Sequence, residues 1–435
     1  MSLPTPTRPF ALFAPSVSRP RASSAVSAGR VRRLSDRAAF ALQVSIILFF
    51  IAGSSAPTPL YAVYQAAWGL SPVTITVVFG VYALAVLAAL LVFGSLSDHV
   101  GRRPILLATT VVQSVAMVIF ATAHGLGALV AARVVQGLAT GAAAGAVGAG
   151  MLDLDRAKGT VANAVAPMIG TASGALLSGL MVVLLPAPTQ LIYLVLAAIF
   201  VAQAIGVTAM RESATPRPGA LAALKPHFRL PPPVRGPMLL AVPALVAAWA
   251  LIGFYGSLGP SLVRRLVGSA SPALGGLVYF VLAGSGALAV LLTRERSPRF
   301  QTLFATTAML AGLAAVLPAI THASVGLLFA GTAVAGAGFG CAFQGAVRSV
   351  VAQTGPHERA GVLSIVFVVA YLAMGVPAVL AGLRVVHGGG LLATSHEFAL
   401  AVMALAAIAL GGTVATRAQK RAVSPGTPRD SSSTS

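Results

Sequence analysis

The chain has 435 residues, 57% of them hydrophobic and only 9% charged, with a net charge of +20 and a mean hydropathy of +0.90. A soluble domain carries about a quarter charged residues, so this composition excludes an ordinary water-soluble fold and makes lipid the main solvent. A single cysteine, Cys341, excludes an intramolecular disulfide.

In chain order, residues 1–37 are rich in Pro, Ser and Arg, with one acid, Asp36, and no long apolar run. They read as a disordered cytoplasmic tail rather than a signal peptide, although an Arg-rich, acid-poor stretch is also the composition of an organellar transit peptide. Twelve mostly apolar runs follow, each long enough to cross a hydrocarbon core of about 30 Å. In a first half, 38–209, they are 38–62, 71–96, 104–122, 126–150, 160–184 and 189–209. A proline-rich polar connector, 210–236, separates them from a second half, 237–416. There the runs are 237–258, 270–293, 301–320, 324–347, 361–382 and 394–416. Residues 417–435 end in serines and read as a second disordered tail.

The basic residues orient this array. Of 29 Lys and Arg, 24 fall in the two tails and the loops on the same side. Arg264, Arg265 and Arg384 fall on the other side, and Arg133 and Arg348 lie within spans. The positive-inside bias therefore places both termini in the cytoplasm and accounts for the charge without nucleic acid. The preference for Arg (26) over Lys (3) reads as the genomic bias of a GC-rich bacterium, and the membrane as its cytoplasmic membrane.

Gly145-Ala146-Val147 recurs as Gly345-Ala346-Val347, each after glycines at four-residue steps, Gly137 and Gly141 in one case, Gly336 and Gly340 in the other. Small residues at that spacing let a neighbouring helix come close, and the recurrence favours two related six-helix halves with a site between them.

Between the second and third runs stands Gly94-Ser-Leu96-Ser-Asp98-His99-Val-Gly101-Arg102-Arg103-Pro104. It resembles the cytoplasmic signature of the major facilitator superfamily (Gly, any, Leu, any, Asp, basic, any, Gly, basic, basic), with His99 in place of the usual Arg or Lys. Arg133-Val-Val-Gln136-Gly137 resembles the superfamily's Arg-any-any-Gln-Gly element, prominent in drug/proton antiporters. Gly174-Ala-Leu-Leu-Ser-Gly179 departs from the antiporter pattern Gly-Pro-any-any-Gly-Gly. Lesser resemblances are Pro356-His-Glu358-Arg359-Ala-Gly361 and the stretch Tyr371 to Pro377.

The resemblance implies an all-α integral membrane protein with twelve transmembrane helices in two pseudo-symmetric halves, nearest to the drug/proton antiporter-like bacterial members. It implies a cytoplasmic latch between the halves at Gly94, Leu96, Asp98, Gly101, Arg102 and Arg103, with Asp153 and Asp155 as candidate partners of the arginines. It also implies that helices 1, 4, 7 and 10 line the cavity. Their polar residues include Gln43, Ser54, Ser55, Thr58, Gln136, Thr140, Trp249, Tyr255, Ser257 and Gln344. Arg133 lies about 12 Å below the outer end of its helix, and an ionisable residue at that depth is a functional candidate. None of the nine acids falls mid-span, which disfavours a dedicated exporter of cations and suits anionic or neutral amphipathic cargo. The expected partners are a small-molecule substrate, protons and the bilayer, with no nucleic acid, no cofactor, no metal and a monomeric state. Alternating-access efflux in exchange for protons is the leading expectation. Uptake by symport, or a non-transporting receptor on the same fold, are the alternatives; no sequence signature of an intramembrane protease or a channel is present.

Overall fold

A computed structural model describes residues 33–226, 228, 230–268, 271–355 and 358–423; most of both tails, together with Pro356 and His357, lies outside them. Eleven helical runs are long and apolar enough to cross a membrane. The last of these, Arg359–Thr416, has 58 residues, nearly three times what one crossing needs. It breaks at His387 and Gly388, the latter at φ 102°. A bidentate ion pair from Arg384 to Glu397 (2.9 and 2.8 Å) spans that break. The run is therefore two spans, which makes twelve among the described residues.

The spans are α1 (Asp36–Trp68), α2 (Pro72–Phe93), α3 (Arg102–Ala121), α4 (Leu126–Leu154), α5 (Arg156–Leu184) and α6 (Leu191–Thr208). The second half holds α7 (Pro232–Ser257), α8 (Pro272–Thr293), α9 (Pro298–Thr321) and α10 (Val325–Val351). It ends with α11 (Arg359–Arg384) and α12 (Gly390–Val423). Serine or aspartate caps begin several of them: Ser35, Ser71, Asp155 and Ser297 each accept a first-turn backbone N–H. Proline occupies the first turn of α2, α7, α8 and α9, where its missing N–H is not needed.

Sequence reading ended the first span at residue 62, but α1 continues to Trp68. It is interrupted at Ala56, where Pro57 and Pro59 supply no backbone donors. The hydroxyl of Ser178 on α5 donates to the Ala56 carbonyl at 2.6 Å, so the carbonyl stays satisfied inside the bilayer region. α7 has the matching break: it stops at Ser257, and a short helix, Gly259–Val267, resumes with Pro260 in its first turn.

The two halves repeat one packing device. A Cβ on Gly137 or Gly141 of α4 would meet the Tyr82 carbonyl at 2.9 Å or the Val86 carbonyl at 2.3 Å, both on α2. In α10, a Cβ on Gly336 or Gly340 would meet the Leu282 carbonyl at 2.2 Å or the Gly286 carbonyl at 2.4 Å, both on α8. The Gly-Ala-Val recurrence is one residue out of this register. Gly145 faces Gly94 at the end of α2, whereas Gly345 faces Thr302 and Pro298 of α9. One residue is about 100° around a helix, enough to turn the second glycine to another neighbour.

Between the halves, α2 packs on α11 and α5 on α8. Gly382 meets Thr76, Gly80 meets Val379, Gly276 meets the Ala175 carbonyl, and Gly179 meets Pro272 and Ala273. These approaches lie toward the end opposite the 94–104 loop. There the second part of α1 also packs on α8 and on the Gly259–Val267 helix. Among the described residues, no extensive packing joins α4, or the first part of α1, to α7 or α10. A cleft thus runs between the halves, closed at that end. Leu84, Val183, Leu194, Ile205, Leu288, Leu380 and Ile408 are exposed on the outside, as a lipid-facing surface requires.

Candidate functional site

The loop after α2 is a compact charged cluster. Gly101, at φ 108°, makes the turn that starts α3. Asp98 pairs with Arg102 one turn on, and the same guanidinium donates to Ser97 Oγ at 2.6 Å and reaches Asp153 Oδ2 at 3.4 Å. Arg103 turns away from the acids: it donates to the carbonyls of Val207 (3.3 Å) and Thr208 at the C-terminal end of α6, the negative end of that helix dipole. Asp155 does not meet either arginine. It caps α5 by accepting the Lys158 N–H at 3.0 Å and pairs with the Lys158 ammonium at 3.0 Å. The backbone N–H, then the Lys158 side chain, hold its carboxyl below the usual aspartate value.

Sequence reasoning missed Glu212. Its carboxylate accepts the backbone N–H groups of Arg102 (2.7 Å) and Arg103 (3.0 Å), capping the N-terminus of α3. The connector continues beneath the loop: Ser213 donates to Asp153 at 3.2 Å, and Ser95 donates to the Ala223 carbonyl at 3.1 Å. Every partner named for this cluster belongs to the first half or the connector. Leu96 and Gly94 lie in the same turn, with Gly94 against Gly145 of α4.

The second constellation is built around Arg133, whose side chain is wholly shielded from solvent. It donates to Tyr61 Oη through Nε (3.0 Å) and also through Nη2, and to the Ser54 carbonyl and Gln136 Oε1 at 2.8 Å each. The rings of Tyr82, Tyr61 and Phe120 lie 5.1, 5.5 and 5.7 Å from its guanidinium carbon. No carboxylate is among these partners. Cation–π contacts and neutral acceptors replace a counter-ion for a charge that is costly to bury. The Arg-any-any-Gln-Gly pattern has a physical reading here. Gln136, three residues on, shares the helix face and accepts from Arg133. Gly137 lets α2 close in until the Tyr82 ring covers the charge. The amide nitrogen of Gln136 and both amide atoms of buried Gln113 have no hydrogen-bond partner; the two nitrogens converge beside Gly53.

The remaining predicted cavity residues divide. Ser54, Ser55 and Ser257 donate back to carbonyls of their own helices, and Tyr255 bonds Thr332 at 2.8 Å. Thr58 and Thr140 are buried with unpartnered hydroxyls. Trp249 and Gln344 are partly exposed. Tyr61, Tyr82, Phe120 and Gln113 were not singled out from sequence, since none lies in a motif.

Residues 44–376 match the Major Facilitator Superfamily. The chain belongs to that family. By its spans it is a multi-pass membrane protein, and the solved structures it resembles are transporters. Among solved structures it is similar to a bacterial homolog of the human lysosomal transporter Spinster in an inward-facing, unoccupied conformation. That match has 14% identity and a TM-score of 0.67, covering 90% of this chain and 99% of that one. It is similar to the nucleoside transporter NupG (D323A mutant) at 12% identity and a TM-score of 0.66, covering 85% and 98%. It is also similar to the human organic anion transporter MFSD10 at 16% identity and a TM-score of 0.61, covering 87% and 100%. At such identities the likeness establishes the fold.

Proposed function

We propose that this protein is a secondary transporter of the cytoplasmic membrane, with both termini cytoplasmic, that moves a small anionic or neutral amphipathic solute outward in exchange for protons. The observation that carries the cargo class is Arg133, fully buried and with no carboxylate among its partners. A cation arriving beside it would meet an unscreened positive charge in a low-dielectric setting, whereas an anion would supply the missing counter-charge. Alternating access follows from the interlocked end and the cleft: rocking the halves would part α2–α11 and α5–α8 at one end and bring the 94–104 loop against the second half at the other. In that closed state Asp98 and Arg102 act as the latch. With no acid beside Arg133, the exchanged proton rides on Asp98, on a histidine near a mouth, or on the substrate's own acidic group.

The test is proton movement in inverted membrane vesicles bearing an imposed pH gradient, with cationic, neutral and anionic compounds added singly. Gradient dissipation by an anion, dependent on the protein and lost in Arg133→Gln, supports the reading. Dissipation by cations alone would refute the cargo class. Accumulation coupled to proton entry in right-side-out cells would make the protein an uptake symporter.

A further inference from the structure

The second half gathers four aromatic side chains from three helices. Trp249 of α7 lies 5.5 Å from Phe343 of α10 and 5.0 Å from Tyr371 of α11, measured between ring centroids. Phe367, one turn before Tyr371, stands 6.3 Å from Phe343 and 6.4 Å from Tyr371. Rings assembled only for packing would be buried, yet all four remain partly exposed. The indole N–H of Trp249, by contrast, is shielded from solvent and has no hydrogen-bond partner. Buried tryptophans normally give that N–H to an acceptor.

This cluster adjoins the Arg133 constellation across the seam. Tyr371 is one turn from Gly375, which a Cβ would bring within 3.4 Å of Ala83 on α2. Ala83 follows Tyr82, whose ring covers the Arg133 guanidinium at 5.1 Å. An acid-free cationic group behind Tyr82 in the first half and a donor-bearing aromatic face in the second therefore lie on either side of the α2–α11 seam.

We propose that Trp249, Phe343, Phe367 and Tyr371 form an aromatic subsite, and that the cargo is an aromatic organic anion whose ring lies on this platform while its acidic group is drawn to Arg133. The proposal rests on the anion reading given above and adds the ring. Offset and edge-on ring contacts favour a flat aromatic group over an alkyl chain of equal charge. An acceptor at the ligand's ring edge would take the Trp249 N–H. A ring bearing an alkylammonium group would gain the ring contacts but meet the Arg133 charge.

The test uses the full chain, purified in detergent, with 1-naphthoate, hexanoate and 1-naphthylmethylammonium as probes. The protein has two tryptophans, so Trp68→Phe leaves Trp249 as the only indole reporter. The expected result is saturable quenching of Trp249 by naphthoate, with naphthoate affinity falling about tenfold in Phe343→Ala and Tyr371→Ala while hexanoate affinity, read by competition, changes less than about twofold. Retained hexanoate binding also shows that those variants are folded. Equal losses for both anions, or absent naphthoate binding, would overturn the subsite; in the first case an Arg133→Gln variant that loses both anions leaves the anion reading standing. Naphthylmethylammonium binding that ignores Arg133→Gln would overturn both.

Discussion

The guanidinium of Arg133 sits 5.1 Å from the ring of Tyr82, and the approach exists because Gly137, one turn along α4, has no side chain to hold α2 away. Charge, covering ring and glycine form one unit, and its parts separate experimentally.

Arg133→Met should abolish transport while leaving the detergent-solubilised protein as stable as the parent or more so. Replacing a buried charge by an apolar side chain of similar volume is often neutral or stabilising by about 1–4 kcal/mol. Arg133→Lys should also lose most transport, because an ammonium cannot reach Tyr61, Ser54 and Gln136 with one planar fork. Thermal unfolding alongside solute flux decides the matter: a large fall in melting temperature for Arg133→Met would make the residue a packing element.

Gly141→Val should fail to fold or lose several degrees of stability, since its first carbon would stand 2.3 Å from the Val86 carbonyl. Gly340→Val should do the same in the second half, where the obstacle is the Gly286 carbonyl at 2.4 Å. Gly284→Ala on α8, with nothing within 4 Å, should be neutral or stabilising by up to about 1 kcal/mol, the ordinary helix gain of alanine over glycine. Equal tolerance at all three sites, read by thermal unfolding in detergent, would mean that the helices are not this close.

At the start of α5, stability should depend on acid. The Asp155 carboxyl is held below its ordinary value by the Lys158 N–H, so folding is favoured while it is ionised. That contribution is present above the unfolded aspartate pKa of about 3.9 and is lost as pH falls through the lower folded value. Wild type and Asp155→Ala should therefore differ in melting temperature at pH 7 and converge below about pH 4. A difference that persists undiminished in acid would show that the cap does not depend on the charge.

Asp98→Asn should abolish most transport without loss of membrane insertion, because it removes the carboxylate that pairs with Arg102. Glu212→Gln keeps a hydrogen-bonding group but not the charge at the α3 N-terminus. It should speed proteolysis of the connector at residues 213–219, with a smaller effect on flux. Near-normal transport by Asp98→Asn would defeat the latch.

The spans were legible in the sequence because length and apolarity are local properties, and the α4 and α10 glycines because their spacing repeats along one helix face. What sequence did not show depends on where one helix meets another. Tyr61 lay at the very end of the first predicted span, just past two prolines and in no motif, and nothing local pairs it with a residue 72 positions on. Tyr82 belongs to no motif and matters only because Gly137 draws its helix close. Glu212 caps a helix more than a hundred residues before it, a relation with no periodic trace. The motif arginines were recognisable, yet only the fold separates Arg102, facing acids, from Arg103, facing the end of α6.

The interlocked end should respond to a single methyl-bearing substitution. A Cβ on Gly382 would stand 2.2 Å from Thr76 Oγ1 across the seam between α11 and α2, and Gly276 faces the Ala175 carbonyl at 2.4 Å between α8 and α5. Neither overlap involves helices within one half, so Gly382→Val or Gly276→Val should spare each half and shift the equilibrium toward the state in which this end is parted. A cysteine placed at buried Thr58, in a background where Cys341 is replaced by serine, reports the shift. Its labelling by a membrane-impermeant maleimide applied to intact cells should rise several-fold in either glycine variant. Unchanged labelling, with protein levels also unchanged, would mean that these contacts do not gate access; labelling that rises equally from the cytoplasmic face would mean that the halves have loosened rather than rocked.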